Sequence, residues 1–210
     1  MSDLIIYVAR HGQSQANHLN VIQGQTSTPL SALGTRQAEA LGRALAGLDF
    51  DAVYSSDLER AMQTARLAAP SHLPQPCTAL REWNLGVFQG LTYQEIDEKY
   101  PFEWQAFKNT LSGFRIPGGE SAEEVFHRTR LFLEELLQRH PQGRVLLVTH
   151  GGIIRCILKC ALGFQGRWPI PPAVTNASYA RFTIHEGRWR LDGWNCTAHL
   201  EGLLESTGDF

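Results

Sequence analysis

Apolar and polar positions along the chain fall into two rhythms, short continuous hydrophobic runs and longer stripes spaced by three and four. Leu4 to Ala9 is apolar at every position and too short for a helix, which predicts a buried strand. Val145 to Thr149 has the same character, and Ala52-Val53-Tyr54 is a shorter version of it. Between these runs the spacing lengthens. Ala38, Leu41, Leu45 and Leu48 share one face of a helix that Ser31 caps and Gly47 ends. A further helix is expected from about Leu58 to Ala69, followed by a break from Pro70 to Pro76. In the longest helix Val125, Phe126, Thr129, Phe132, Leu133, Leu136 and Leu137 form a stripe, while Glu134, Glu135 and Arg139 face water. Thr92 with Glu95 and Ser121 with Glu124 are capping boxes, and Pro101 is expected to end the helix that Thr92 begins. Gly152 to Leu162 is a mostly apolar helix. Ser178 to Ile184 alternates with a period of two, and a turn at residues 185–188 leads to a hairpin partner at Trp189–Trp194.

Strands alternating with helices from Leu4 to Leu162 predict an α/β fold, a three-layer α/β/α sandwich with a mainly parallel central sheet. The aromatic stretch at about 91–118 is expected to form a small lid over the C-terminal ends of the strands. No repeat or linker divides the chain, so residues 1–210 are expected to form a single domain.

Composition narrows the partners more than the chemistry. Hydrophobic residues make up 43% and charged residues 19%, as in an ordinary globular protein. A formal charge of −2 supplies no basic field for nucleic acid or an acidic membrane, so any anion site must be local. The apolar run ending at Ala9 is too short for a spanning helix and lacks the basic flank of a signal peptide. Without a secretory signal, the two sequons at Asn176 and Asn195 read as accidents. Of the four cysteines, Cys156 and Cys160 lie four apart on an apolar helical stretch and read as reduced core thiols more than a metal clip, and a cytoplasmic location is expected. An exposed strand or hairpin edge makes a homodimer the assembly to test.

The chemistry gathers where apolar runs stop. Leu4–Ala9 ends at Arg10-His11-Gly12, and Val145–Thr149 ends at His150-Gly151-Gly152. Ligands of parallel sheets bind beyond the carboxyl ends of the strands, so these two histidines are expected to meet in one site. A phosphomonoester handled without a metal or cofactor needs fixed cations, donors for its other oxygens, an in-line nucleophile and an acid for the leaving oxygen. Arg10 and Arg60 suit the cations, their planar forks matching phosphate oxygens. His11 suits the nucleophile, with nearby guanidinium groups keeping its imidazole neutral. His150 suits a donor to the transferred phosphoryl oxygens. Ser14, Asn17, Gln23, Gly24 and Gly151 complete the expected phosphate-binding set. Glu82 is the candidate general acid and, as carboxylate, the base for an attacking water. Glu95 and Glu120 have simpler roles as capping and turn residues, and Arg128 is expected to pair with a buried carboxylate.

Arg10-His11-Gly12-Gln13-Ser14-Gln15-Ala16-Asn17 resembles the signature of the histidine phosphatase superfamily, in its phosphoglycerate-mutase-like branch. The resemblance continues through Pro29–Gly34, Tyr54–Thr64, Leu80-Arg81-Glu82, Gln89-Gly90, Pro117–Ser121 and Thr149–Gly152. It implies that His11 is phosphorylated, that Arg10, Asn17, Arg60 and His150 form the phosphate pocket, and that Glu82 donates the proton. One position departs from the pattern, since many relatives carry glutamate where Gln89 stands.

Within that family the segment separates two activities. A mutase resembles its relatives in a longer, basic insertion after the acid, whereas Tyr93 to Ile116 holds only Lys99, Lys108 and Arg115 among six aromatic residues. The tail around Asn176–Tyr179 and Trp194–Leu200 resembles compact metabolite phosphatases, including phosphoserine and glucosyl-phosphoglycerate phosphatases. Hydrolysis of a small phosphorylated metabolite is therefore expected, with a phosphoglycerate mutase as the alternative. A phosphate-recognising pseudoenzyme would be expected to lack His11 or Glu82. A nucleotide-binding protein would need a P-loop or Gly-x-Gly-x-x-Gly turn, and neither occurs.

Overall fold

The structure, a computed structural model, describes residues 3–109, 113–166, 168 and 170–204. Its centre is a six-stranded sheet of β1 (Leu4–Arg10), β2 (Ala52–Ser56), β3 (Gln75–Cys77), β4 (Gly143–Thr149), β5 (Tyr179–His185) and β6 (Arg188–Cys196), in the order β3-β2-β4-β1-β5-β6. The first four run parallel, and β5 and β6 run antiparallel at one edge. In β1 and β4 successive side chains point to opposite faces, which explains why both strands read as unbroken apolar runs. Leu4, Ile6, Val8, Val145 and Leu147 pack under α6 (Ala122–Arg139) and α7 (Gly151–Leu162). Tyr7, Ala9, Leu146 and Val148 pack under α2 (Ala32–Leu45) and α3 (Glu59–Ala68). Helices thus cover both faces, as the alternation predicts.

The capped helices begin where the sequence places them, with Ser31, Thr92 and Ser121 each accepting from the N–H three residues on. Three elements differ from the expectation. Gln15–His18 forms a short helix, α1, inside the segment read as a turn. Gln75–Cys77 forms β3 inside the proline-rich break, because Tyr54 to Ser56 offers it a parallel edge. Pro101 ends α4 (Tyr93–Lys99) but also opens α5 (Pro101–Asn109), since a first helical position has no use for the missing N–H.

Residues 91–109 and 113–116 form a satellite layer. Ile96 and Ile116 bury against Phe88, and Tyr100, Trp104 and Phe107 surround that ring. Of the expected lid at 91–118, residues 110–112 lie outside the described residues. Among the described residues no helix is long and apolar enough to cross a membrane, and no group of three or more His, Cys, Asp or Glu could hold a metal ion.

Candidate active site

Parallel pairing brings the two histidine-bearing turns together. Arg10 and Thr149 are register partners at the ends of β1 and β4, and the His11 N–H donates to the Thr149 carbonyl at 2.9 Å. The two imidazoles lie edge to face with ring centres 5.0 Å apart. The rings and the guanidinium groups beside them are polar groups that a core normally excludes: Arg10, His11, Arg60 and His150 are 7%, 3%, 1% and 0% exposed.

His11 is held in one tautomer. Its Nδ1 lies 2.7 Å from the Gly12 carbonyl oxygen, which can only accept, so the proton sits on Nδ1. Nε2 then keeps its lone pair, and Arg60 Nε donates toward it at 3.3 Å. Burial holds the His11 pKa well below the ordinary histidine value, and the charges of Arg60 and Arg10 push it the same way. His150 is lowered likewise by burial and then by Arg60, His11 and Arg10. Its Nε2 lies 2.8 Å from Ser56 Oγ at the end of β2.

Arg60, in the first turn of α3, reaches back across the strand ends. It donates to the carbonyls of Thr26 at 2.9 Å and Gly24 at 2.7 Å, and burial lowers its pKa to about 10. A guanidinium has five N–H donors, so this engagement with the 23–28 loop leaves capacity for an anion. Gly24 sits at φ +53°, and a Cβ there would run into the Gln89 side chain. Gln89 Oε1 accepts from the Gln25 N–H at 2.6 Å, so an amide oxygen meets the acceptor requirement at the position where many relatives carry glutamate.

Ser14, Asn17 and Gln23 form one network. Ser14 Oγ accepts from the Asn17 N–H at 3.1 Å and lies 2.8 Å from Gln23 Oε1, which also accepts from Thr28 Oγ1 at 2.6 Å. The Ser14 hydroxyl is therefore engaged within the loop. Asn17 Oδ1 accepts from the Ser14 N–H at 3.1 Å and from Asn176 Nδ2 at 3.4 Å. These bonds use only the amide oxygen of Asn17. Arg10 donates to the Val174 carbonyl at 2.5 Å, across Gly151 from Arg155, which donates to the Pro172 carbonyl at 2.9 Å.

Glu82 enters from the loop between β3 and α4. Its Oε1 accepts from the Trp83 N–H at 2.9 Å and its Oε2 from the Gly152 N–H at 3.2 Å, in the first turn of α7. A Cβ at Gly152 would collide with that carboxylate, so this glycine admits Glu82 to the helix end. The loop is clasped from below by Arg128, which takes both Glu120 oxygens at 2.9 and 3.1 Å and donates to the carbonyls of Ala79, Arg81 and Glu82. Glu120 is thus the partner that the sequence could not name. Arg81 pairs with Asp57 at 2.5 Å, which raises the arginine and lowers the carboxyl. Glu95 stays in its capping box with Thr92.

Sequence reasoning missed the strap at 172–178. Asn176 Nδ2 and the Ala177 N–H both donate to the His11 carbonyl, each at 3.1 Å. Ala177 adopts φ +56°, costly for an alanine, and His199 lies 3.0 Å from its carbonyl oxygen. The sequence signals there were a triplet that read as a chance sequon and the likeness of Asn176–Tyr179 to compact metabolite phosphatases, and neither gave Asn176 a role.

Comparisons with known proteins agree with this architecture. The family model described as "Histidine phosphatase superfamily (branch 1)" matches residues 6–197. A metal-independent phosphoserine phosphatase of Arabidopsis thaliana is 33% identical over 94% of this chain and 84% of its own. A probable phosphoglycerate mutase, GpmB, of Yersinia pestis is also 33% identical, over 98% and 93%. The solved structure of mycobacterial glucosyl-3-phosphoglycerate phosphatase superposes with a TM-score of 0.83 at 34% identity, covering 92% of this chain and 99% of that one. The chain belongs to branch 1 of the histidine phosphatase superfamily.

Proposed function

We propose that the protein is a metal-independent phosphomonoesterase that hydrolyses a small phosphorylated metabolite through a phosphohistidine on His11. The observation that carries this reading is the His11 Nε2 lone pair, fixed by the Nδ1–Gly12 bond and set among Arg10, Arg60 and His150. Nε2 attacks phosphorus, and the bond from phosphorus to the ester oxygen breaks opposite. Arg10 and Arg60 balance the charge on the equatorial oxygens, with Asn17 supplying its amide N–H. Glu82, protonated at this point, gives its proton to the leaving alkoxide. The resulting carboxylate takes a proton from water as that water attacks the phosphohistidine, and phosphate and neutral His11 are regenerated.

Hydrolysis is favoured over mutation of phosphate position by the lid cations. Lys99 pairs with Glu95 and Lys108 with Asp97, each at 3.6 Å, and Arg115 pairs with Glu124. All three charges are balanced within the lid or by α6, which suits a monophosphate better than a bisphosphate intermediate. The phosphoserine, phosphoglycerate and sugar-phosphate classes are the substrates to screen first. The four free cysteines fit action in the cytosol.

Rapid acid quench after mixing with p-nitrophenyl phosphate should trap acid-labile phosphate on the peptide containing His11. His11→Ala should lose about 10⁴-fold or more in kcat and all trapped phosphate. Wild-type turnover with no phosphopeptide, or faster phosphoglycerate interconversion than phosphate release, would overturn the reading.

A further inference from the structure

We infer that Ser56 is a positioning residue that fixes the tautomer of His150, so that its Nδ1–H is presented to the transferred phosphoryl group. The inference deepens the phosphatase reading and rests on it for the role of His150. It starts from two adjacent buried groups. Ser56 is the last residue of β2, fully enclosed, and its Oγ lies 2.8 Å from His150 Nε2. The same oxygen accepts the Leu58 N–H at 3.3 Å. A hydroxyl has a single proton to donate, and Leu58 occupies an acceptor position on it. Giving that proton to His150 Nε2 satisfies both groups. The reverse arrangement would leave the serine proton buried without a partner, which is unfavourable.

If Nε2 accepts, the proton of the neutral ring sits on Nδ1. That atom is buried and has no hydrogen-bond partner among the described residues. The ring stands 5.0 Å from His11, which carries its proton on the same nitrogen but turns it the other way: proton tied to Gly12, lone pair on Nε2 beside Arg60. Two neutral imidazoles of the same tautomer therefore present different faces, His11 a nucleophilic nitrogen and His150 a donor. A buried donor with no partner among the described residues is one that a phosphoryl oxygen would satisfy.

The test is two-bond ¹H–¹⁵N NMR on the full chain with labelled histidine, the His150 signals being assigned by their loss in His150→Gln. The expected wild-type spectrum has a pyrrole-like Nδ1 and a pyridine-like Nε2, with the Nδ1 proton moving downfield on addition of vanadate. Ser56→Ala should mix or invert the tautomers and lower kcat by about 10- to 100-fold, no more than the loss of a full oxyanion donor. Ser56→Thr, which keeps a hydroxyl, should restore both. A wild-type proton on Nε2 overturns the inference, and needs no variant to fold. So does Ser56→Ala with an unchanged tautomer whatever its rate, or with an altered tautomer and undiminished kcat. The tautomer is read without turnover, so failure here is separate from failure to trap phosphate on His11.

Discussion

The buried polar cluster at the strand ends and the aromatic layer beside it occupy neighbouring parts of the molecule but are held by opposite physics. In the cluster, buried guanidinium and imidazole groups are fixed by hydrogen bonds to carbonyls from several segments, those of Gly12, Gly24 and Thr26 and the Thr149 oxygen that accepts from His11. In the layer, Trp104 stacks on Phe107 at 5.4 Å and both meet Phe88 edge to face, while α5 buries no side chain completely. Directional bonds leave few alternative arrangements, whereas aromatic packing tolerates many. Exchange of residues should therefore be costly to catalysis in the first region and should retune specificity in the second.

The largest test of that contrast short of removing His11 is Glu82→Gln. Its effect should depend on the leaving group, because an alkoxide needs the proton and nitrophenolate scarcely does. A loss of about 10²–10⁴-fold in kcat is expected on alkyl phosphates, with a far smaller loss on p-nitrophenyl phosphate. Equal losses on both substrates would show that Glu82 holds the loop rather than the proton.

A smaller effect is expected at Asn176, which among the described residues meets the catalytic cluster through the His11 carbonyl and Asn17. Asn176→Ala should reduce kcat about 10- to 100-fold, by analogy with lost supporting bonds elsewhere. The melting temperature should fall only modestly, because the Ala177 N–H still donates to the same carbonyl. If kcat is unchanged, the strap is scaffolding and the boundary of the catalytic region lies inside it.

Asn176 also marks where sequence reading stops. Arg10, His11, Arg60 and His150 could be picked out because each lies at or next to the end of an element whose period is written locally, whereas Glu82 lies in a loop and was picked out by its chemistry and the family resemblance. The parallel register then gathers the two histidines. Asn176 precedes β5, an antiparallel strand, and nothing in its neighbours reveals that Ala177 turns into a left-handed conformation to reach His11. β3 was hidden for a related reason. Three residues containing Pro76 show no alternation, and only the waiting edge of β2 makes them a strand. In α5 a proline read as a terminator also serves as an initiator, a distinction set by where the chain goes next.

Acid should distinguish the two regions by stability. His11 and His150 are both held below the ordinary histidine value of 6.5, mainly by burial. In the unfolded chain they take up protons as pH falls through about 6.5, whereas the folded state resists them. Their contribution is therefore complete above that value and lost below it, at about 1.4 kcal/mol per pH unit for each histidine while the folded form stays neutral. Asp57, lowered by Arg81, adds an acid loss only below its ordinary value of 3.8. Urea midpoints between pH 6.5 and 5 should fall in the wild type and flatten in the double variant His11→Gln, His150→Gln. Parallel curves would place the buried charge elsewhere.

The smallest effect on catalysis should come from the aromatic layer. Trp104 is only partly buried, so Trp104→Ala removes its contacts with Phe107, Phe88 and Tyr93 without emptying a closed core. A cost of about 1–2 kcal/mol is expected, below the 3–5 of a fully buried tryptophan. Turnover of p-nitrophenyl phosphate should stay within about three-fold, because the hydrogen bonds described for the catalytic cluster do not involve that ring. KM values for larger phosphorylated metabolites should spread instead, each moving by its own factor, since the cover would settle differently over each leaving group. A uniform fall in kcat across all substrates would mean that the aromatic layer sets the position of Glu82 through Trp83, which packs on Phe107 at 5.3 Å. Directional bonding and aromatic packing would then act as one unit, and the tolerance assigned to the layer would end at Phe107.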